Sequence, residues 1–147
     1  MKKLALLAAL LAGAATALPA HAAGENNLRV IATNVKSDAG SLYVWVYDKK
    51  DDWLSDRFRT QAFVKVAGHR TGDRVTVELL LPAGDYALSV FQDVNDNGKL
   101  ERNFIGIPKE PAGLSNNLRP KFGPPKYKDA VFTVAKGVVA EQKIELQ

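Results

Sequence analysis

The sequence predicts an all-β protein, a seven-stranded antiparallel sandwich with one long ordered loop. Between Leu28 and Asp93, and again near the end of the chain, apolar residues recur with period two, which is the pattern of half-buried strands. Turn-forming residues separate these stretches at the short intervals typical of sandwiches. No stretch has the periodicity of a long amphipathic helix, so strands are expected to build the core.

The chain begins with the pattern of a secretory signal peptide. Two lysines precede an alanine-rich apolar stretch that ends near Leu18, and the triplet Ala-His-Ala follows at 20–22. We expect cleavage after Ala22, which removes residues 1–22 and makes the protein periplasmic or secreted. The apolar stretch is shorter than the roughly 20 residues of a spanning helix, so no membrane span is expected. Residues 23–147 are then expected to form a single β-sandwich domain.

Composition narrows the classes of function. Removing Lys2 and Lys3 from the 20 basic residues leaves 18 against 16 acidic residues, a formal net charge of +2, so charge gives little support for nucleic-acid binding. The chain has no cysteine, which excludes thiol catalysis, iron–sulfur clusters and Cys-ligated zinc. His69 is the one histidine after the signal peptide, too few for a multi-histidine zinc site, and nothing near it suggests a catalytic triad.

Seven strands are predicted, each bounded by turn-forming residues. In chain order they are Leu28–Val35, Ser41–Asp48, Ala62–Gly68, Asp73–Gly84, Asp85–Asp93, Asp129–Val134 and Val139–Gln147. The second strand is apolar on both faces, which is typical of a central strand covered on both sides. Its aromatic face, Tyr43, Trp45 and Tyr47, could stack on sugar rings, but packing beneath the long loop is the favoured interpretation. A short helical turn is possible around Asp51–Arg59.

The segment Val94–Lys128 has neither strand nor helix periodicity and contains five prolines. Structureless segments longer than about 12–15 residues are uncommon in compact domains and are usually functional or disordered. The apolar residues that could pack this segment onto a sheet are Leu100, Phe104, Ile105, Ile107, Leu114, Leu118, Phe122 and Tyr127. We therefore predict an ordered loop that forms the functional surface.

Two stretches carry a resemblance to a known family: AGDYALSVFQDVNDNGKLERNFIGIPKEPAGLSNN and FGPPKYKDAVFTV. They resemble a family of small exported bacterial proteins catalogued as domain of unknown function 2141 (DUF2141). The match is close from Gly84 to Val134 and looser in the earlier strands. Gln92 stands where the family pattern usually has histidine, and Glu101 where it usually has aspartate, so no role of that histidine carries over. The resemblance implies a transthyretin-like or immunoglobulin-like sandwich and no activity.

The stretch DVNDNGKLERN, which begins at Asp93, has the alternating oxygen-bearing residues of a calcium loop. Calcium takes 6–8 oxygen ligands, and its loops supply them from alternate positions with a glycine at the sixth. The predicted metal ligands are the side chains of Asp93, Asn95, Asn97 and Glu101 and the carbonyl oxygen of Lys99. Remaining ligands for Ca²⁺ would come from Asp96, Glu110 or backbone carbonyls.

The alternative for this stretch is a hairpin-type turn at residues 96–98 that binds no ion, with Asn and Gly chosen for positive φ. Phe104 occupies position twelve, where the helix–loop–helix calcium site has a bidentate glutamate, and no flanking helices are predicted. The stretch is therefore not that motif. A bare turn and a calcium-type site both remain open, with the turn slightly favoured.

Polar residues further along the segment are candidates for a ligand surface. They are Lys109, Glu110, Ser115, Asn116 and Asn117. The alternative, which is favoured, is that the Ser-Asn-Asn residues make local turns that tie the loop to itself. Seven Lys and Arg residues against three Asp and Glu residues in 94–128 could attract anionic glycans or phosphates, although a solvated rim is commoner.

These observations predict an exported, monomeric cell-envelope module that binds an unknown protein or glycan, or serves a structural role, without catalysis. The alternative is a small envelope hydrolase that uses loop carboxylates, for example Glu101 with Glu110. No set of nucleophile, base and oxyanion donors is recognisable in the sequence, which favours the non-catalytic reading.

Overall fold

The structure is a computed structural model that describes residues 26–147. The predicted signal peptide, residues 1–22, and its cleavage point lie outside the described residues. Nine strands are present in the described part of the chain. They are β1 (Leu28–Thr33), β2 (Ser41–Tyr47), β3 (Thr60–Lys65), β4 (Arg70–Thr71), β5 (Arg74–Leu79), β6 (Gly84–Asp93), β7 (Ala112–Leu114), β8 (Phe132–Val134) and β9 (Ala140–Glu145).

Helical structure within residues 26–147 is limited to single turns. One 3₁₀ turn covers Lys50–Asp52, a second covers Ser115–Asn117, and one α-helical turn, α1, covers Tyr127–Ala130. The first of these begins just before the helical turn proposed from the sequence. None is long enough to contribute a layer of its own, so the protein is an all-β domain.

The strands form two sheets that pack face to face. One has the order β4-β5-β1-β9, and the other has the order β3-β2-β6-β7 with β8 paired to the first residues of β6. Side chains from both sheets alternate into one shared apolar core. Its fully buried members include Leu28, Val30, Ala32, Leu42, Val44, Val46, Leu88, Val90 and Ile144.

The prediction of a wholly antiparallel sheet is wrong at one pair of strands. β1 and β9 pair in parallel, from Leu28 opposite Ala140 to Thr33 opposite Glu145. Period-two patterning is the same for a strand running in either direction. The direction of β9 depends on the end of the sheet at which the chain re-enters after the long segment. The residue pattern of β9 itself does not encode that direction.

The predicted count of seven strands is also too low. All seven predicted strands are present with shifted ends, but β4 and β7 are additional. These two strands are two and three residues long. Alternation cannot be recognised over so few residues, because the pattern needs about four to eight positions to stand out.

The outer face of the second sheet is a second apolar cluster rather than a solvated surface. Trp45, Tyr47 and Phe91 are buried there, and the Trp45 and Phe91 rings meet edge to face with centroids 4.9 Å apart. The cover comes from Trp53, Phe58, Leu100, Ala112 and Tyr127. The prediction that the aromatic face of β2 packs beneath the long loop is confirmed for Leu100, Ala112 and Tyr127, while Trp53 and Phe58 supply cover from outside that loop.

The turn between β1 and β2 packs against the end of β6. The Nε2 group of Gln92 donates hydrogen bonds to the carbonyl oxygens of Ser37 and Ala39 at 3.2 and 2.8 Å. Gly40 has φ 69°, and a Cβ at this position would lie 1.8 Å from the carbonyl oxygen of Asp93. A residue with a side chain fits neither this backbone conformation nor this space.

We expect Gly40→Ala to lower the free energy of unfolding by more than about 3 kcal/mol, because it adds a backbone clash to an unfavourable φ. Gly137→Ala is the matched control, since Gly137 has φ 75° but no atom within 4 Å of the added Cβ. The control is expected to cost about 1 kcal/mol. Urea denaturation measures both values, and equal losses would contradict the close contact between the turn and Asp93.

Candidate functional site

The carboxylate of Asp93 ends the ten-residue strand β6 and is fully buried. Its Oδ1 accepts the backbone N–H of Asn97 at 3.1 Å, and its Oδ2 accepts the backbone N–H of Gly98 at 2.6 Å. Asp96 and Gly98 have φ values of 56° and 72°, in the left-handed region that Asn, Asp and Gly tolerate. Asp93 therefore closes a tight turn by accepting two amides that the turn leaves without backbone partners.

The other predicted metal ligands gather around the same turn. Glu101 Oε1 accepts hydrogen bonds from the side-chain amides of Asn95 and Asn97 at 3.0 and 2.8 Å. The Oδ1 atoms of these asparagines accept the backbone N–H groups of Asn97 and Lys99. All five residues of the predicted calcium loop thus belong to one hydrogen-bonded network, here named the Asp93 cluster.

Glu110 joins the Asp93 cluster from the far end of a hairpin that residues 99–110 form. Its Oε1 accepts the N–H of Val94 at 3.0 Å, and its Oε2 accepts the N–H of Glu101 at 3.3 Å. Burial raises the pKa of the Glu110 carboxyl, and the negative charges of Asp93 and Glu101 raise it further, whereas the two backbone hydrogen bonds act in the opposite direction. The carboxylates of Asp93 and Glu101 therefore act on Glu110 at the base of the hairpin.

Asp96 is the member of this stretch that points away. Its Oδ1 accepts a hydrogen bond from Ser41 and its Oδ2 pairs with Nζ of Lys65, each at 2.6 Å. The hydrogen bonds from Lys65 and Ser41 lower the pKa of the Asp96 carboxyl below its ordinary value. Asp96 thus ties the turn to β2 and β3 instead of facing the Asp93 cluster.

The chemistry of the Asp93 cluster limits the kind of ion it suits. Among residues 26–147, no three His, Cys, Asp or Glu side chains are close enough together to hold a metal ion by themselves. A shell at this position would need the amide oxygens of Asn95 and Asn97 and the carbonyl of Lys99 beside the carboxylates. Oxygen ligands of mixed charge are the set that Ca²⁺ takes, and softer metals prefer nitrogen or sulfur.

The residues predicted as a ligand surface hold the segment to the sheets. The buried Ser115 hydroxyl accepts the N–H of Leu88 at 2.8 Å and donates to the carbonyl of Ala130 at 2.5 Å. The side chain of Asn116 donates to the carbonyls of Asp129 and Val131, and that of Asn117 accepts the N–H of Glu145. These hydrogen bonds reach other elements and are not local turns. Glu110 is buried in the Asp93 cluster, while Lys109 is exposed on the hairpin.

Residues 99–110 form a projecting hairpin. The N–H of Lys109 donates to the carbonyl of Glu101 at 2.8 Å, and Arg102 forms a β-bridge with Pro108. At the tip, the N–H of Asn103 donates to the carbonyl of Ile107 at 2.9 Å. The sequence pattern missed this hairpin because its arms are too short for alternation to be recognised.

A groove of about 910 Å³ separates the projecting hairpin from residues 118–125. Its apolar lining includes Leu100, Ile105, Ile107 and Leu118, and its charged lining includes Arg102 and Arg119. Leu54 also lines the groove and has φ 60°, a conformation in which a bulky residue is strained. Strained residues are frequent at binding surfaces. The groove exists only when two distant parts of the loop face each other, so no local pattern could have indicated it.

Some apolar residues that the sequence suggested for packing are exposed. Leu100 and Tyr127 do pack against the buried aromatic residues of β2 and β6, but Phe104 and Phe122 are 100% and 95% exposed. Both phenylalanines lie one or two residues before a glycine of positive φ, Gly106 or Gly123. A position before a turn glycine does not separate an exposed ring from one that a neighbouring segment covers, so the sequence held no local signal for this exposure.

The fold and the site define a class of protein: an all-β domain of two packed sheets, with a central strand that ends in a carboxylate cluster and leads into a long ordered excursion. Residues 30–142 match a family described as an uncharacterized protein conserved in bacteria, DUF2141. The chain belongs to this family, as the resemblance of its loop sequence implied. No curated protein and no solved structure matches the chain. Within residues 26–147, no helix has the length and apolar character needed to cross a bilayer.

The raised pKa of Glu110 predicts a pH dependence. The folded protein holds the Glu110 proton more tightly than the unfolded chain does. The contribution of this group to the free energy of unfolding is therefore fully present below the pKa of the unfolded chain. It is lost as the pH rises through the folded pKa. In metal-free buffer, NMR titration of the Glu110 carboxyl should give a pKa above the ordinary 4.5. Glu101→Gln removes one neighbouring negative charge and should lower that pKa.

Glu141→Gln serves as the control for this titration, because Glu141 is an exposed residue of β9 whose carboxylate lies 4.0 Å from Arg29. It should leave the pKa of Glu110 unchanged. A Glu110 pKa at or below its ordinary value, or one that does not respond to Glu101→Gln, would contradict the coupling of the carboxylates.

Proposed function

We propose that this protein is an exported, non-catalytic binding module of the bacterial cell envelope, and that residues 94–128 form its binding surface. The observation that carries the proposal is the groove of about 910 Å³ between two parts of this segment, with apolar walls and two arginines. Binding sites typically combine a mostly apolar concave surface with a few polar groups that orient the ligand.

The way the segment is anchored supports a role in binding. Asp93 and Glu110 hold its first part, and Ser115 and Asn116 hold its middle. Near its end, the indole N–H of Trp53 donates to a backbone carbonyl of the segment at 3.1 Å. A surface that is already ordered loses less conformational entropy when a partner binds, so less of the interaction free energy is spent on ordering.

The disposition of Glu101 and Glu110 favours binding over hydrolysis. A general acid or base must reach the substrate proton that it transfers. Glu110 is 8% exposed, and each of its oxygens accepts a backbone N–H. Its bonds keep the base of the hairpin closed, which supports a structural role for the pair against the alternative of a carboxylate hydrolase.

We also propose that the Asp93 cluster binds Ca²⁺. Asp93 and Glu101 would supply negative charge, and the oxygens of Asn95, Asn97 and Lys99 would supply neutral ligands. Burial raises the pKa of the Glu110 carboxyl, and the negative charges of Asp93 and Glu101 raise it further; a bound cation would offset this repulsion between like charges. The ion would supply positive charge at the junction between β6 and the segment, and would thereby stabilise the base of the projecting hairpin.

The finer fold relationship and the location belong to the same proposal. Two packed sheets of short strands support a transthyretin-like or immunoglobulin-like sandwich. The basic, apolar and small-residue regions at the start of the sequence support export to the periplasm or beyond, with cleavage after Ala22. We propose that the exported form is a monomer that binds an envelope protein or an envelope glycan or lipid through the segment 94–128.

A photo-crosslinking amino acid introduced at Ile107 or Leu118, on the two walls of the groove, should give covalent adducts in intact cells of the source bacterium. The same crosslinker at Leu80, a half-exposed residue in the turn before β6, is the control and should give none. Mass analysis of the adducts identifies the partner class. Adducts of equal yield from all three positions, or none from the groove, would contradict the proposed binding surface.

Calcium should raise the thermal midpoint of the protein. With free Ca²⁺ at about 100 times Kd, the added stability is about 2.7 kcal/mol, which for a domain of this size is several degrees. Extracellular calcium modules bind with Kd of about 10⁻⁴ to 10⁻³ M, so the melts need calcium up to about 100 mM and are compared with melts in excess chelator.

Asp93→Asn and Glu101→Gln should each reduce the calcium-induced shift, because each removes a negative charge from the Asp93 cluster. Asp96→Asn is the matched control in the same turn, and its shift should match that of the wild type, since Asp96 faces Ser41 and Lys65. Identical melting curves with calcium and with chelator would exclude the calcium site while leaving the binding surface untouched.

A further inference from the structure

Two projecting tips of the segment 94–128 expose apolar side chains to an unusual extent. The first tip, residues 103–107, carries Phe104, Ile105 and Ile107, which are 100%, 64% and 54% exposed. The second tip, residues 121–123, carries Phe122, which is 95% exposed. Both tips border the groove, since its lining includes Ile105, next to Phe104, and Gly123, next to Phe122. Apolar side chains exposed together in this way mark contact surfaces.

The exposure of the first tip is built into its turn. The Oδ1 atom of Asn103 accepts the backbone N–H groups of Ile105 and Ile107 at 3.1 and 2.9 Å. The N–H of Gly106 donates to the carbonyl of Asn103 at 3.0 Å, and Arg102 donates to the carbonyl of Gly106 at 3.1 Å. These hydrogen bonds hold the backbone of the turn in place. The turn therefore does not need its apolar side chains to pack against the protein, and they remain exposed to solvent.

The charge around the two tips is positive. All seven Lys and Arg side chains of the segment are exposed. They are Lys99, Arg102, Lys109, Arg119, Lys121, Lys126 and Lys128. Of these seven side chains, all within the described part of the chain, only Arg119 pairs with an acidic residue, Glu145 at 2.8 Å.

The acidic side chains of the segment do not offset this positive charge at the tips. Asp96 pairs with Lys65, Glu101 accepts hydrogen bonds within the Asp93 cluster, and Glu110 is buried. The acids are therefore held at the base of the hairpin, near Lys99 and Lys109, whereas Arg102 borders the first tip and Lys121 belongs to the second.

We propose that the two tips dock on the surface of a lipid bilayer that carries anionic headgroups, with Phe104 and Phe122 inserted at the interface and the surrounding Lys and Arg side chains on the headgroups. This inference deepens the proposed binding function by naming the partner, and it rests on residues 94–128 being the binding surface. Anionic headgroups attract basic residues close to the membrane, and interfacial proteins bury apolar side chains beside them.

The shape of the tips favours a bilayer over a folded partner. The two phenylalanine rings protrude almost wholly into solvent and are separated by the groove. A protein partner would need two matching pockets at a matching separation, whereas a bilayer interface accepts protruding apolar groups at any lateral position. The clustered positive charge likewise needs no specific geometry to meet a charged lipid surface.

The test is flotation of the purified protein, expressed from the full chain, with lipid vesicles at low salt. We expect the protein to float with phosphatidylcholine vesicles that contain about 30% phosphatidylglycerol and not with pure phosphatidylcholine. Binding should weaken steeply as the salt concentration rises, because the headgroup attraction is screened.

The variant Phe104→Ser with Phe122→Ser should lower the partition coefficient at least about tenfold, because each lost ring removes apolar burial at the interface. Neither ring packs in the core, so folding should be unaffected, which circular dichroism can check. The matched control is Leu80→Ser with Val138→Ser. These two residues are 56% and 60% exposed, and both lie in turns near Gly84, at the opposite end of β6 from Asp93. The control should bind vesicles as the wild type does.

Failure of wild-type flotation, equal binding to neutral vesicles, or unchanged binding by the phenylalanine variant would overturn the lipid proposal. A wild-type dimer seen by light scattering that the phenylalanine variant abolishes would overturn it too, because the tips would then be a protein interface. The broader binding function is tested separately. Crosslinks from Ile107 to an envelope protein, without vesicle binding, would leave the binding surface standing and remove the lipid partner alone.

Discussion

The buried carboxylate of Asp93 is the group on which the rest of the site depends. It accepts the amides of Asn97 and Gly98, which sets the direction in which the chain leaves β6. The carbonyl of the same residue packs against Gly40, so the turn between β1 and β2 fits only around this strand end. A buried carboxylate without such donors would be strongly unfavourable, which makes this turn obligatory once β6 enters the core.

The segment after Asp93 keeps its acidic side chains away from its exposed tips. These side chains accept hydrogen bonds or pair with Lys65 at the base, near Lys99 and Lys109, whereas Arg102 and Lys121 border or belong to the tips. The base is therefore suited to a cation, and the tips are suited to an anionic surface. One arrangement of charge thus supports both the calcium proposal and the lipid proposal, although different residues carry them.

Much of the Asp93 cluster could be predicted from spacing alone. Alternate oxygen-bearing residues before a glycine indicated either a turn or an ion site, and the structure contains the turn, built from the residues proposed as ligands. The entry of Glu110 could not be predicted in detail, because it depends on a hairpin that returns the chain to Val94. The long-range hydrogen bonds of Ser115 and Asn116 depend in the same way on α1 and β9.

The sequence by itself determined the all-β class, the core face of each long strand and the polar turn after Asp93, because alternation and turn chemistry are local properties. Only the tertiary structure decided the parallel pairing of β1 with β9, the groove, and the exposure of Phe104 and Phe122. Each of these depends on which distant segments meet. The physical reason is that an apolar residue carries the same local signal whether a neighbour covers it or water does.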